Sequence, residues 1–474
     1  MYSPTRKLCA FATSLRVNEV PDIVLDKVKL HVLDAVGCGI AGAESELAGK
    51  LIAFTTLEHG AGPVPVLGTP LSFGPAAAAF ANSACMNALD FDDGIEVDGK
   101  GMGHPGATIV AAGMSAPYIR PVNGRRFLTA MLAAFEINDR LIASIQPSLS
   151  RFREVYGVCQ HQSVSAAVAY GLLAGLDEHA LENAIGFAGT LANVPSLRKY
   201  NFDDRPIVSL KDFNAPAAET GVRSVQLHEA GLHGSKAVLD GPSGLWRMLG
   251  SDGFSAEILI DNLGQDWAVL NGTFKPYPTC RWMHTVLEAF DTIVRQHDLS
   301  PDEIRVVTVH TSEAMIRDFM AFAAETMVDA QFSFPHALAM LAYRVPLGPA
   351  WYAASSMTWQ DKLRFEGRVQ AQHDPQVEEL MGGATRRPAG RVTVETAKGV
   401  IASPLIEFPL GSNVRPVSAG WVKEKFLANA APVIGHNPAQ EMCERILSLE
   451  EEEDMTHVFD LSRLSDSSDI RGQD

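Results

Sequence analysis

Six stretches of this chain read as helices that are apolar or small on almost every side, and this pattern constrains the fold more than any other feature. Val20 to Ala43 begins at Pro21-Asp22 and carries Val24, Val28, Val32, Leu33, Val36 and Ile40 along one side. Its second part, AVGCGIAGA, has so few bulky side chains that a neighbouring helix can approach closely. Pro75 to Leu89, Arg126 to Ile145, Ser163 to Leu176, Glu178 to Ala192 and Ala215 to Ala230 repeat the theme. A helix without a polar face is a buried one. The spacing therefore predicts a layered all-α bundle, rather than a sheet flanked by helices.

After about Gly264 the texture changes. Arg281 to His297 has one apolar side, and EIRVVTVHT (Glu303 to Thr311) is rich in β-branched residues at near-alternating spacing. Two strand-like runs meet at Lys398-Gly399 within Gly390 to Leu405, which reads as a hairpin. Helical pieces lie between them, at Pro335 to Tyr343 and Trp359 to Phe365, and helical signal returns from Ala419 to Leu449. A chain of 474 residues is too long for one ordinary core. The expected architecture is mainly α. Residues 1–264 form the first part of a helical domain, 265–410 an inserted α+β lid, and 411–449 a segment returning to the first domain. Residues 450–474, acidic and rich in Ser and Asp, are expected to be disordered.

The net charge of -17 argues against nucleic acid as a partner, and it means that any bound anion is held by local cations. The six cysteines are scattered without a Cys-x-x-Cys pair, the pattern of reduced thiols in a cytoplasmic protein rather than of a metal site. No apolar run of about 18 residues is present, so no membrane span is expected. The short apolar stretch after Lys7 is interrupted by Arg16, and a secretory signal is not expected.

Candidate chemistry is concentrated in NALDFDDGIEVDGKGMGHPGATIVAAG, from Asn87 to Gly113. Three acids (Asp90, Asp92, Asp93) precede a glycine-rich loop, and His104 stands where helical sequence resumes; such a set suits acid/base work, or merely caps a helix. Gly101 to Gly106 satisfies G-x-G-x-x-G, but it follows a helix and an acidic loop and contains Pro105, so a dinucleotide fold is discounted. His161 lies beside a helix start expected at the N-capping Ser163. Lys211 precedes Asn214, another N-cap candidate, where a lysine and a helix N-terminus together favour an anion. In FKPYPTCRWMH, two prolines fix the chain near Lys275 and a helix sets Arg281 and His284 on one face. Two cations and a histidine at a domain junction suit a polycarboxylate, and equally a charged hinge.

Together LDFDD, GHPGATIVAA, QHQSVSAAVAYGLLAGLD, SLKDFNAPAAETGV with LDGPSGLWRML, and FKPYPTCRWMHTVLEAF resemble the MmgE/PrpD family, which includes 2-methylcitrate dehydratase, cis-aconitate decarboxylase and iminodisuccinate epimerase. The resemblance runs from about Lys7 to Leu447. It implies a helical domain built from both chain ends, an inserted lid, a site between them, a homodimer, and catalysis without metal or organic cofactor. The family's active-site acid corresponds to Asp90 and its His-Pro histidine to His104. The histidine of its His-Pro-x-Ser element corresponds to His161, although Gln162 replaces the proline. Its two lysines correspond to Lys211 and Lys275, the second followed by His284.

Two departures bear on the substrate. Gly94 stands where relatives acting on tricarboxylates have threonine followed by histidine, and the loop from Gly94 to Gly103 is longer than usual and adds Glu96 and Asp98. The expected activity is a cofactor-independent lyase, foremost a dehydratase of a hydroxylated di- or tricarboxylic acid. Proton transfers would be made by His104, His161 or Asp90, and carboxylates held by Lys211, Lys275, Arg281 and His284. The alternatives are an epimerase of an imino- or hydroxy-dicarboxylate, a cis-aconitate-type decarboxylase, and an inactive dimeric binding protein.

Overall fold

Small residues set the spacing of the central helices. Helix Asp22–Gly42 lies between Pro75–Asn87 and Ala419–Ile434, and a Cβ on Gly42 would come within 2.0 Å of the Cys85 carbonyl oxygen. On its other side Gly37 faces Phe426, whose ring would lie 2.8 Å from such a Cβ. Helix Asn214–Glu229 crosses Gln162–Ala174 in the same way, with Gly221 against Ala166. Backbones this close leave no room for branched side chains, which is why the AVGCGIAGA stretch is a packing surface.

The computed structural model describes residues 3–97, 100–155, 157, 159–194, 198–203, 205–207, 210–383 and 386–464. The fold is mainly α, as the helical patterns predict, and its sheets are small. One large apolar cluster joins the first-half helices to the returning segment through Val422, Phe426, Met442 and Ile446. A second gathers Leu287, Phe290, Val307, Val309, Phe334 and Val394, with Cys38, Ala41, Leu89 and Phe91 reaching in from the first half. Its sheet runs Val369–His373, Ile304–Thr311, Arg391–Thr396, Gly399–Ala402. Ile304–Thr311 is parallel to the first of these strands and antiparallel to the third, and the last two form the hairpin expected around Lys398-Gly399.

Several local expectations give way. The segment after Asp93 is not a loop: Gly94–Val97 pairs antiparallel with Lys100–Gly103, and Gly94 and Ile95 pair with Gly272–Thr273. Gly94 fits this tight pairing, because a Cβ there would meet Thr273 Oγ1 at 3.0 Å. Gly101-x-Gly103-x-x-Gly106 therefore does join a strand to a helix, but the strand belongs to an antiparallel hairpin, and a dinucleotide fold remains excluded. The acidic tail is ordered in its first part. Met455, Val458 and Phe459 are buried, Met455 N–H donates to the Val122 carbonyl at 3.0 Å, and Phe459 packs on Phe127. Apolar residues at i, i+3 and i+4 bury one face of a short helical turn even in acidic sequence; residues 465–474 lie outside the described residues.

The N-caps also shift by a residue or two. His161 itself occupies the cap position of helix Gln162–Ala174, while the Ser163 hydroxyl donates to Ala188. Asn214 is the first residue of its helix, preceded by Phe213 at φ +62°.

Candidate active site

Helix Pro75–Asn87 ends in a left-handed turn at Asp90, φ +52°. Among non-glycine residues Asp is one of the few that adopts this conformation readily. The turn directs Asp90, Asp92 and Asp93 into the protein, all three buried. Asp92 accepts both of its bonds from Asn87 Nδ2, at 3.2 and 3.1 Å, and burial pushes its carboxyl up to about 6. Asp93 Oδ1 accepts the Gly106 N–H at 2.9 Å, at the start of helix Pro105–Met114, and Oδ2 lies 2.5 Å from His31 Nδ1. Burial raises Asp93 to about 7 and drives His31 well below its usual value. Below about pH 7 the contact is therefore a neutral pair sharing one proton, not an ion pair. Gly106 is required there: a Cβ would sit 2.7 Å from Asp93 Oδ1.

The same loop orients His104. Its Nδ1 lies 2.8 Å from the Asp93 carbonyl oxygen, which can only accept, so Nδ1 carries a proton and in the neutral ring Nε2 holds the lone pair. Nε2 lies 3.9 Å from Asp90 Oδ1 and 3.8 Å from Asp212 Oδ2. Both distances exceed a hydrogen bond. Asn214 Nδ2 fixes the His104 carbonyl at 2.8 Å and also donates to Gln162 Oε1 at 2.8 Å. The glutamine that replaces the family's proline thus braces the histidine loop.

Asp90 Oδ1 is the common vertex of the cations. Lys275 Nζ donates to it and to the Asp90 carbonyl at 2.9 Å, and Lys211 Nζ lies 3.5 Å away while donating to Asp212. Burial would raise the Asp90 carboxyl, but Lys211, Lys275 and His104 outweigh it and hold Asp90 at about 2. Burial likewise acts to lower Lys211, and Asp212 and Asp90 reverse it, holding the ammonium above its usual value. Lys211 also sits over the Phe332 ring, 5.0 Å from its centre. Arg281 Nε donates to Glu96 Oε1 at 2.8 Å and its Nη1 to the Leu410 carbonyl at 3.1 Å.

Asp90, His104, Lys211, Lys275 and Arg281 all line one narrow cavity of about 50 Å³. Asp212, Glu96, Thr273, Phe202 and Trp282 also stand on its wall. The last two also line an adjoining cavity of about 390 Å³, which is walled by Phe152, Met315, Met381, Arg198, Arg317 and Arg386 and has no histidine among the described residues. His161 and His284 do not line the narrow cavity. His161 is buried, its Nε2 is without a partner among the described residues, and burial lowers it to about 3. His284 Nε2 donates to the Thr279 carbonyl at 3.1 Å, leaving Nδ1 to accept from Arg281 Nη1 at 3.3 Å. Burial and the neighbouring Arg281 hold it neutral. Its Nδ1 thus meets the Arg281 guanidinium.

Asp212 and Glu96 were not assigned to the site from sequence. Asp212 had a signal, since it follows Lys211 directly; the pairing of Glu96 with Arg281 had none. Donor atoms of Asp90, His104 and Asp212 lie within 4.8 Å of one another, close enough to hold a metal ion. The ammonium groups already on Asp90 and Asp212 would repel a cation at that point.

Comparison with known proteins agrees with this architecture. Residues 6–257 match the MmgE/PrpD N-terminal domain and residues 277–451 the MmgE/PrpD C-terminal domain. The chain is 24% identical to the cis-aconitate decarboxylase-like protein oryM of Aspergillus oryzae, covering 96% of both chains. It is 23% identical to cis-aconitate decarboxylase of Aspergillus terreus over 96% of this chain and 95% of the relative. With 2-methylcitrate dehydratase of Escherichia coli it shares 24% identity over 62% of each chain. With both family domains matched in order, and with its lysines, acids and histidine gathered at one cavity, the chain belongs to the MmgE/PrpD family.

Proposed function

We propose that the protein is a cofactor-independent lyase that dehydrates a hydroxylated di- or tricarboxylic acid by removing a proton from the carbon beside a carboxylate. The observation that carries this reading is His104, with Nδ1 tied to a carbonyl and Nε2 aimed between two carboxylates and two ammonium groups. Nε2 takes the proton, and Asp90 and Asp212 stabilise the imidazolium that forms. The carbon's electron pair builds the double bond as the carbon–oxygen bond breaks, and the leaving hydroxide takes the proton back from His104 Nε2 to depart as water, which restores the neutral imidazole. Lys211, held fully charged, serves as a fixed cation for a substrate carboxylate and its developing enolate. Lys275 binds beside it. The narrow cavity takes the reacting carbons, and the rest of the acid extends past Phe202 and Trp282 into the larger space. A cytoplasmic homodimer belongs to this reading.

Decarboxylation is the second reading, favoured because the relatives aligned over 96% of the chain are named cis-aconitate decarboxylase or decarboxylase-like. The same histidine, protonated, would then deliver a proton to carbon as carbon dioxide leaves. The test is a panel of 2-methylcitrate, citrate and cis-aconitate, followed by near-ultraviolet absorbance and by release of carbon dioxide. A new conjugated alkene without gas, abolished in His104→Ala, supports the dehydratase; gas release identifies the decarboxylase. Inversion of a stereocentre in heavy water with neither signal overturns both in favour of an epimerase.

A further inference from the structure

The ion pair between Glu96 and Arg281 is only half made. Arginine and a carboxylate commonly meet through two parallel hydrogen bonds, yet here a single one joins Nε to Oε1, at 2.8 Å. Glu96 Oε2 and Arg281 Nη2 are both buried and have no partner among the described residues, and both residues line the catalytic cavity. The geometry is held from outside the pair. Arg281 Nη1 is fixed by Leu410 and His284, and the Glu96 carbonyl accepts from Asn413 at 3.2 Å, in a strand that pairs Glu96 with Gly101.

A buried donor and a buried acceptor left without partners on one ion pair are costly unless a bound group satisfies them. A substrate carboxylate would satisfy Nη2 but place a second negative charge against Oε2. An ammonium would satisfy Oε2 but face the guanidinium. An uncharged group that both donates and accepts satisfies the two together. We infer that Glu96 and Arg281 form a recognition site for a hydroxyl or primary carboxamide at one end of the substrate, so that this protein selects an acid with one carboxylate fewer than citrate. The inference rests on the lyase reading for what happens at His104, but not for what binds at Glu96.

The test compares citrate with its terminal monoamide, by calorimetric binding and, separately, by alkene formation. The wild-type chain is expected to bind the monoamide on the order of 100-fold more tightly than citrate. Glu96→Gln, which keeps an acceptor for Arg281 Nε and removes the charge, is expected to erase or invert that preference. Equal binding of the two acids by the wild type, an unchanged ratio in Glu96→Gln, or binding of neither to a chain that unfolds at its normal temperature would overturn the assignment. A preference that shifts with Glu96 while no alkene forms would sink the dehydratase reading and leave the recognition site standing.

Discussion

Replacing Asp93 with asparagine should stabilise the protein at alkaline pH and leave it unchanged in acid. Asp93 is fully buried and raised to about 7, first by burial, with the Gly106 N–H and the ammonium groups of Lys425, Lys275 and Lys27 pulling the other way. In the unfolded chain an aspartate titrates near 3.9. Between these two values the native state binds more protons than the unfolded one, so stability falls as pH rises from about 4 to about 7 and is flat above. At about 1.4 kcal/mol per unit, the loss from this one carboxyl is about 4 kcal/mol. Asp92, raised to about 6 by burial, adds a smaller loss that ends one unit earlier. Asparagine is nearly isosteric: Oδ1 still accepts from Gly106, Nδ2 donates to His31, and the backbone carbonyl that holds His104 is untouched. Urea unfolding at pH 5 and pH 8 measures the difference. The wild type should be several kcal/mol less stable at pH 8 than at pH 5 and Asp93→Asn markedly less affected. Equal changes in the two proteins would refute the argument that Asp93 folds as a protonated acid.

Lys275→Met should lower kcat/KM by about 100-fold or more, since it removes a cation from the reacting centre; unchanged kinetics would remove Lys275 from the site. It should also shift acid unfolding. Asp90, held at about 2, contributes stability present above about 4 and lost as pH falls towards 2; without Lys275 its carboxyl rises towards the unfolded value and that acid loss shrinks. His161→Asn should cost stability more than turnover, because His161 is neutral near pH 7 and off the cavity wall; a loss in kcat as large as that of His104→Ala would restore it to the chemistry. Exhaustive chelation with EDTA should leave turnover intact, and activity lost and then restored by a divalent metal would contradict the reading of Asp90, His104 and Asp212 as a metal-free site.

The helical half was legible because its information is local. Small residues at helical spacing in AVGCGIAGA can only be a close-packing surface, and Gly42 against Cys85 is that surface realised. The strand Ile304–Thr311 and the hairpin after it were equally legible, from β-branched alternation and Lys398-Gly399. The strands at Gly94–Val97 and Lys100–Gly103 were hidden, since Ile95 and Val97 are too few among the glycines and charged residues to mark a strand, and only pairing with each other and with Gly272–Thr273 makes them a sheet. In the tail, acidic composition masked three apolar side chains that tertiary packing buries.

The site divides along the same line. Residue types and motif order determined that Asp90, His104, Lys211, Lys275 and Arg281 belong together, and the chain places all five on one cavity. Only the folded structure decided which of their charges are already spent. Asp90 and Lys275, and likewise Glu96 and Arg281, meet across 185 residues of sequence. Burial and neighbouring charge, which set protonation and the room left for a substrate, are properties of the three-dimensional surroundings. For the same reason His161 and His284, alike in sequence to a catalytic histidine, came to lie at a helix start and beside Arg281, buried once the surrounding helices had closed over them.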